Sequence, residues 1–291
     1  MRAEKFVMLF LALSTLGIMP VLSQEKPNVK SGFIEVDGGK LFYEEAGSGE
    51  TVVMIHDGLV HHEIYDGQFL AFAENYRVIR YDRRGYGKSP KPKKEYSIVE
   101  DLNSLFEELN IDNAAVIGMS MGGGLAIDFT LEYPEKVTSL VLVGAVVSGY
   151  GYTEHFTTRG GNMPLEYYQD PESLRKYLIE DDPYEISPKN KDARRRLIEL
   201  INANPHNMEF EKYQLNKPPR RGALGVLNEI EVPALIVVGE DDIPDVHSHA
   251  GAIEAGIPNA RRIVVKNAGH LVPMEQPEEF NKKVLEFLKN R

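Results

Sequence analysis

Ala114-Ala115-Val116-Ile117-Gly118-Met119-Ser120-Met121-Gly122-Gly123-Gly124 decides the fold of this chain. Ala114 to Ile117 is a continuous apolar run, as expected of a strand buried on both faces in a parallel sheet. The run passes straight into Gly118-Met119-Ser120-Met121-Gly122, and a helical pattern follows from Met121 to Tyr133. A serine on so sharp a strand-to-helix turn needs small residues two positions away on each side, because larger side chains would collide across it. Such a turn lifts the hydroxyl clear of the sheet. It also aims the Met121 N–H, at a helix N-terminus, toward any oxyanion that forms beside Ser120.

Outward from this turn the same rhythm repeats. Phe33 to Val36 and Leu41 to Glu44 alternate around Asp37-Gly38-Gly39, which predicts a hairpin. Further apolar runs, likewise read as strands buried on both faces, are Val52 to Ile55, Tyr76 to Tyr81, Leu140 to Val143, Leu235 to Val238 and Ile263 to Val265. Helical patterns lie between and after them, including Ile98 to Leu109 and Pro277 to Leu288. Strand–helix alternation after a hairpin predicts an α/β fold: a mostly parallel sheet with an antiparallel N-terminal edge and helices on both faces.

One region interrupts the rhythm. Residues 151–225 carry no strand signal but hold two charged helical stretches, Pro171 to Glu180 and Asp192 to Asn202. They are expected to form a helical lid, since so long a structureless loop is uncommon in a compact chain. At the start, Arg2 and Lys5 precede an apolar stretch from Phe6 to Gly17, with Val21 and Ser23 placed as at a cleavage site. The expected organisation is a signal peptide at 1–23, a first core part at 24–150, the lid at 151–225 and a second core part at 226–291. A secreted or periplasmic protein, bacterial by this pattern, is expected, with no membrane association after cleavage.

The 291 residues include no cysteine, so disulfides, thiolate metal sites and thiol nucleophiles are ruled out. The formal charge of −11 and the lack of basic runs argue against nucleic acid and anionic membranes as partners. No phosphate-binding glycine loop is present, so no cofactor is expected. His61-His62 and His247-Ser248-His249 lack the spacing and the carboxylates of a metal site, so no metal is expected either. His61 and His62 remain candidates to line a pocket mouth.

A serine hydroxyl needs a base, and the base needs a carboxylate to orient it. His270 follows the Ile263 to Val265 run in Asn267-Ala268-Gly269-His270 and is the candidate base. The acids after Leu235 to Val238 are Glu240, Asp241, Asp242 and Asp245. The chain order serine, acid, histidine is that of one class of hydrolases.

These residues resemble the α/β-hydrolase superfamily, in its lidded esterase, lactonase and carbon–carbon hydrolase branch. Tyr81-Asp82-Arg83-Arg84-Gly85-Tyr86-Gly87-Lys88-Ser89 is similar to the family's Asp-x-Arg-Gly-x-Gly-x-Ser turn. Gly269-His270 followed by Glu275-Gln276-Pro277-Glu278-Glu279-Phe280 is similar to the segment around its catalytic histidine. The resemblance implies that the acid is Asp242, fourth in Gly239-Glu240-Asp241-Asp242, ahead of Asp241 and Asp245. It also implies an oxyanion loop after Val52 to Ile55. There His56-Asp57-Gly58-Leu59 departs from the usual His-Gly, so the second donor is assigned to the Gly58 N–H ahead of that of Leu59. Asp57 is expected to turn its carboxylate away and bond locally, His56 to brace the loop, and Asp82-Arg83-Arg84 to form a buried turn network.

The function so implied is a secreted serine hydrolase acting on a small ester or lactone through an acyl-enzyme. Carbon–carbon cleavage in a β-diketone-like substrate and proline iminopeptidase-like amide cleavage are the alternatives within the fold. A receptor or carrier built on a hydrolase fold is the non-enzyme alternative. Tyr150, Tyr152, Phe156, Tyr167, Tyr168 and Tyr177 are assigned mainly to lid packing.

Overall fold

The computed structural model describes residues 28–154, 156, 170–177, 188–209 and 211–291. The expected signal peptide, Tyr167 and Tyr168 lie outside the described residues. Eight strands form one sheet in the order β1-β2-β4-β3-β5-β6-β7-β8. They are β1 (Lys30–Val36), β2 (Gly39–Ala46), β3 (Thr51–Ile55), β4 (Arg77–Tyr81), β5 (Ala114–Met119), β6 (Val137–Val143), β7 (Ala234–Gly239) and β8 (Ala260–Val265). β1 pairs with β2, and β2 with β4, antiparallel; every later pairing is parallel. Gly38, at φ 73°, supplies the left-handed turn that joins Val36 to Gly39.

The helices of the core are α1 (Asp66–Ala73), α2 (Ile98–Glu108), α3 (Met121–Glu132), α7 (Pro244–Gly256), α8 (Val272–Glu275) and α9 (Pro277–Asn290). Between β6 and β7 lies the helical insertion, with α4 (Pro171–Lys176), α5 (Lys191–Ala203) and α6 (Glu211–Gln214). The second predicted lid helix is α5; the first is helical as α4, and its end beyond Tyr177 lies outside the described residues. Ser97 caps α2 by accepting the Glu100 N–H at 3.3 Å, and Asn190 caps α5 by accepting that of Asp192 at 2.9 Å. Among the described residues no helix is long and apolar enough to cross a membrane.

Alternate residues of the central strands feed two apolar layers. Val53, Ile55, Val116, Leu140 and Ile236 meet α2, α3 and α7 on one face. Val52, Met54, Ile117, Val141 and Val237 meet α1 and α9 on the other, with Leu197, Leu200 and Ile201 of α5 against the same layer. Covering both faces explains why β5 and β7 are buried throughout. β8 corrects the expectation of a fully buried strand. It is the sheet edge, where Arg261, Arg262 and Val264 are exposed.

The order of the parallel strands fixes where chemistry can occur. From β3 the chain steps to β4 on one side, then crosses to β5 on the other. The carboxyl ends of β3 and β5 therefore open into the crevice where the winding reverses. His56 to Leu59 follow β3 there, and Ser120 follows β5.

Candidate active site

Ser120 has φ 52° and ψ −116°, a conformation that L-residues seldom adopt and that costs on the order of 1–3 kcal/mol. The surroundings hold it in place. Its N–H donates to the Val143 carbonyl at 2.8 Å, and its carbonyl accepts from Gly124 at 3.1 Å and Val146 at 3.3 Å. The flanking glycines are required sterically. A Cβ on Gly118 would lie 2.3 Å from the Gly122 carbonyl oxygen, and one on Gly122 would lie 2.4 Å from that of His56. The sharp turn read in the sequence is thus present, with α3 driven closely against the end of β3.

His270 and Asp242 come from the neighbouring edge. Glu240 and Asp241 donate their N–H groups to the Val265 and Ala268 carbonyls, at 2.8 and 2.9 Å, which ties the loop after β7 to the loop after β8. Asp242 then meets His270 Nδ1 with its two oxygens at 3.0 and 3.2 Å. Both side chains are buried. Asp242 Oδ1 also accepts the Ile243 N–H at 2.8 Å, which fixes the plane of the carboxylate. Burial opposes protonation of His270, but the charge and hydrogen bond of Asp242 outweigh it and raise the imidazole above its ordinary value.

The other acids are engaged elsewhere. Asp241 is half exposed, 3.8 Å from Lys189. Asp245 accepts from the Thr153 N–H and hydroxyl at 2.7 and 2.8 Å. Gly144 brings the pair to Ser120. It follows Val143, which holds the Ser120 N–H, and a Cβ there would lie 3.1 Å from the His270 ring and 3.3 Å from Asp242 Oδ2. At φ 49° the position suits glycine on backbone grounds as well.

The loop after β3 closes the other side. Asp57 does bond locally: its Oδ1 accepts the Leu59 and Val60 N–H groups at 3.1 and 2.9 Å. Among the described residues its Oδ2 is buried with no hydrogen-bond partner, and burial raises the carboxyl above its usual range. Leu59 N–H is therefore occupied, whereas among the described residues nothing accepts the Gly58 N–H. A Cβ on Gly58 would lie 2.7 Å from Met121 Sδ, so Gly58 and the first residue of α3 face one another. His56 braces this loop, as expected. Its Nε2 accepts the Arg83 N–H at 3.0 Å, and its Nδ1–H donates to the Asp57 carbonyl at 2.8 Å.

His61 and His62 correct the pocket-mouth expectation, for both are buried. His62 Nδ1 lies 2.7 Å from Asp82, whose same oxygen accepts the His62 N–H at 2.9 Å. Asp82, Arg83 and Arg84 are all buried in the turn, as expected, but bond separately: the Asp82 carbonyl accepts the Ser89 hydroxyl at 2.6 Å, and Arg84 clasps Asp101 at 2.6 and 2.7 Å. Among the described residues no three acidic or histidine side chains group as metal ligands. Tyr150 and Tyr152 pack against His249, and Tyr152 stacks on Phe156.

Three contacts escaped the sequence reading, although it names Glu275 and Arg83 for other reasons. Glu275 accepts the N–H groups on either side of His270, Gly269 at 3.0 Å and Leu271 at 3.1 Å. Arg83 donates through Nη2 to the Asp57 carbonyl. Tyr213, from α6 of the insertion, bonds the Tyr86 hydroxyl, which in turn donates to the Gly58 carbonyl at 3.0 Å. No periodicity marks any of these; only the neighbouring motifs hinted at them.

A model of the alpha/beta hydrolase fold matches residues 50–277, and the chain belongs to that family. It is an enzyme with the family's catalytic machinery, hydrolysing a small organic molecule. It is 33% identical over 283 residues to a 2-hydroxy-6-oxononadienedioate/2-hydroxy-6-oxononatrienedioate hydrolase of Paraburkholderia phymatum, covering 90% of this chain and 94% of that one. Among solved structures it is similar to an esterase from Exiguobacterium antarcticum, with TM-score 0.73, 27% identity and coverage of 89% and 100%. It is also similar to a meta-cleavage product hydrolase from Pseudomonas fluorescens, with TM-score 0.70, 26% identity and coverage of 89% and 97%.

Proposed function

We propose that the protein is a serine hydrolase that cleaves a carbon–carbon bond beside a ketone in a small β-diketone-like acid. The observation that carries the catalytic reading is the strained Ser120 turn set beside the buried His270–Asp242 pair. The choice of bond is supported by the Paraburkholderia relative, similar over nearly the whole chain. In this reading His270 takes the Ser120 proton, and Oγ adds to the ketone carbon. The Met121 and Gly58 N–H groups hold the oxyanion. As it collapses the carbon–carbon bond breaks, and its electron pair becomes the enolate of the second carbonyl. The imidazolium protonates that carbanion. Water, deprotonated by His270, then releases the acyl group as a carboxylic acid. Asp242 holds the imidazole in the required tautomer throughout.

Hydrolysis of an ester or lactone is the second reading, favoured by the likeness to the Exiguobacterium esterase. It uses the same residues with an alkoxide leaving group. A panel of vinylogous diketone acids, p-nitrophenyl esters and lactones separates the two, with Ser120→Ala as control. The diketone acids are expected to show the higher kcat/KM, and Ser120→Ala to lose at least about 10³-fold in kcat. Faster turnover of esters or lactones replaces the first reading by the second; undiminished turnover in Ser120→Ala removes both.

We also propose that the protein is exported and cut after Ser23. N-terminal sequencing of the secreted product should begin at Gln24; a start at Met1 would overturn this.

A further inference from the structure

We propose that Arg83 is a positioning residue of the reaction, one that holds and polarises the Asp57–Gly58 peptide so that the Gly58 N–H is a fixed, strengthened oxyanion donor. This rests on the serine hydrolase reading above, and the chain of contacts supports it at each step. The Gly58 N–H and the Asp57 carbonyl belong to one peptide unit. That carbonyl accepts two hydrogen bonds, one from Arg83 Nη2 and one from His56 Nδ1 at 2.8 Å. Donors on a carbonyl draw electron density from the amide and make its N–H a better donor; a cationic donor does this most strongly.

The peptide is also prevented from turning. Arg83 donates its own N–H to His56 Nε2 at 3.0 Å, so Arg83, His56 and the Asp57 carbonyl form a closed ring of hydrogen bonds. On the following peptide, the Tyr86 hydroxyl donates to the Gly58 carbonyl at 3.0 Å, and Asp57 Oδ1 takes the next two N–H groups. Within this loop, each of these groups is committed, whereas among the described residues the Gly58 N–H has no acceptor. An oxyanion would complete the set.

Arg83 is suited to more than bracing. Its residue is 4% exposed, its guanidinium stacks over the Tyr86 ring at 4.8 Å, and among the described residues its Nε is buried without a hydrogen-bond partner. Among the described residues no carboxylate lies within ion-pair distance of it. The buried Asp57 carboxyl feels its charge but does not clasp it; a buried cation so incompletely paired is costly, and a negative charge developing on the far side of the peptide it grips offsets that cost. The charge is thus felt in the transition state more than in the ground state, which is the condition for accelerating the chemical step.

The test compares Arg83→Met, Arg83→Lys and Ser120→Ala with the wild type. Each is assayed for kcat and KM on the best substrate of the panel and for inhibition by an arylboronic acid, which forms a tetrahedral adduct on serine. Arg83→Met is expected to lose about 10- to 100-fold in kcat, with KM within about threefold, and to weaken boronate binding by a similar factor. Arg83→Lys, which keeps a cation, should recover part of both. If Arg83→Met does not fold, as judged by circular dichroism and Tm, Arg83→Gln takes its place. Loss of activity in Ser120→Ala together with kcat within threefold of wild type in the Arg83 variant overturns this inference alone. A fall in kcat without weaker boronate binding does the same. Activity retained in Ser120→Ala overturns the serine reading and this inference with it.

Discussion

Glu275 holds His270 from both sides: one oxygen of its buried carboxylate accepts the N–H groups of Gly269 and Leu271, at 3.0 and 3.1 Å. The imidazole is therefore fixed through its backbone by one acid and through its ring by another, Asp242. Removing Glu275 leaves two buried donors unsatisfied, which costs about 1–3 kcal/mol for each such group.

Glu275→Ala is accordingly expected to lower Tm and to reduce kcat by about tenfold or more. Glu275→Gln keeps an oxygen in the same place and should retain most of both. Thermal unfolding and steady-state kinetics on the two variants check this. Equal damage in both would show that the charge, and not the acceptor, is what His270 requires.

The pH profile follows from the His270–Asp242 contact. In the proposed mechanism His270 acts as a base only when neutral, so kcat/KM should fall as pH drops through its pKa. Asp242 raises that pKa above the ordinary imidazole value of about 6.5. Asp242→Asn should then move the acid limb to lower pH and cost on the order of 10³- to 10⁴-fold in kcat. The linked stability has a matching sign. A histidine whose folded pKa is raised stabilises the fold below its unfolded pKa, and that contribution is lost as pH rises through the folded pKa. An unmoved acid limb in Asp242→Asn would count against the assignment.

Asp128 links α3, the helix that follows Ser120, to both ends of the insertion. It accepts the Ser148 hydroxyl at 2.9 Å, and Ser148 Oγ in turn accepts the Ala223 N–H at 2.8 Å. Burial pushes the Asp128 carboxyl up to about 6. Its raised folded pKa means that the fold binds this proton more tightly than the unfolded chain. Stability is therefore surrendered as pH rises from about 4 to above 6, on the order of 2–3 kcal/mol. Asp128→Asn preserves the acceptor without the charge. It should raise stability at pH 8 and change it little at pH 4, as measured by urea unfolding. A difference independent of pH would refute the account.

Much of this could be read from local pattern. The run from Ala114 to Gly124 set a buried strand, a glycine-flanked turn and a helix in order, and each is present because hydrophobic period and glycine sterics act over a few residues. The hairpin at Asp37-Gly38 was legible for the same reason. β8 was misjudged, since an apolar run looks alike at an edge and in the centre, and only strand order tells them apart.

The site divides along the same line. Sequence alone placed Ser120 on its turn and pointed to His270, because each follows a strand in a recognisable setting. The family resemblance favoured Asp242 over Asp241 and Asp245, but only tertiary structure shows it meeting the imidazole, since those three carboxylates differ in where the β7–β8 register aims them. It likewise decided that His62 serves Asp82, that Glu275 clasps His270, and that Arg83 grips the peptide of Gly58. These contacts join residues whose spacing carries no periodic signal. Their hydrogen bonds depend on distances set by strand order and register across the whole sheet, which no local stretch of sequence encodes.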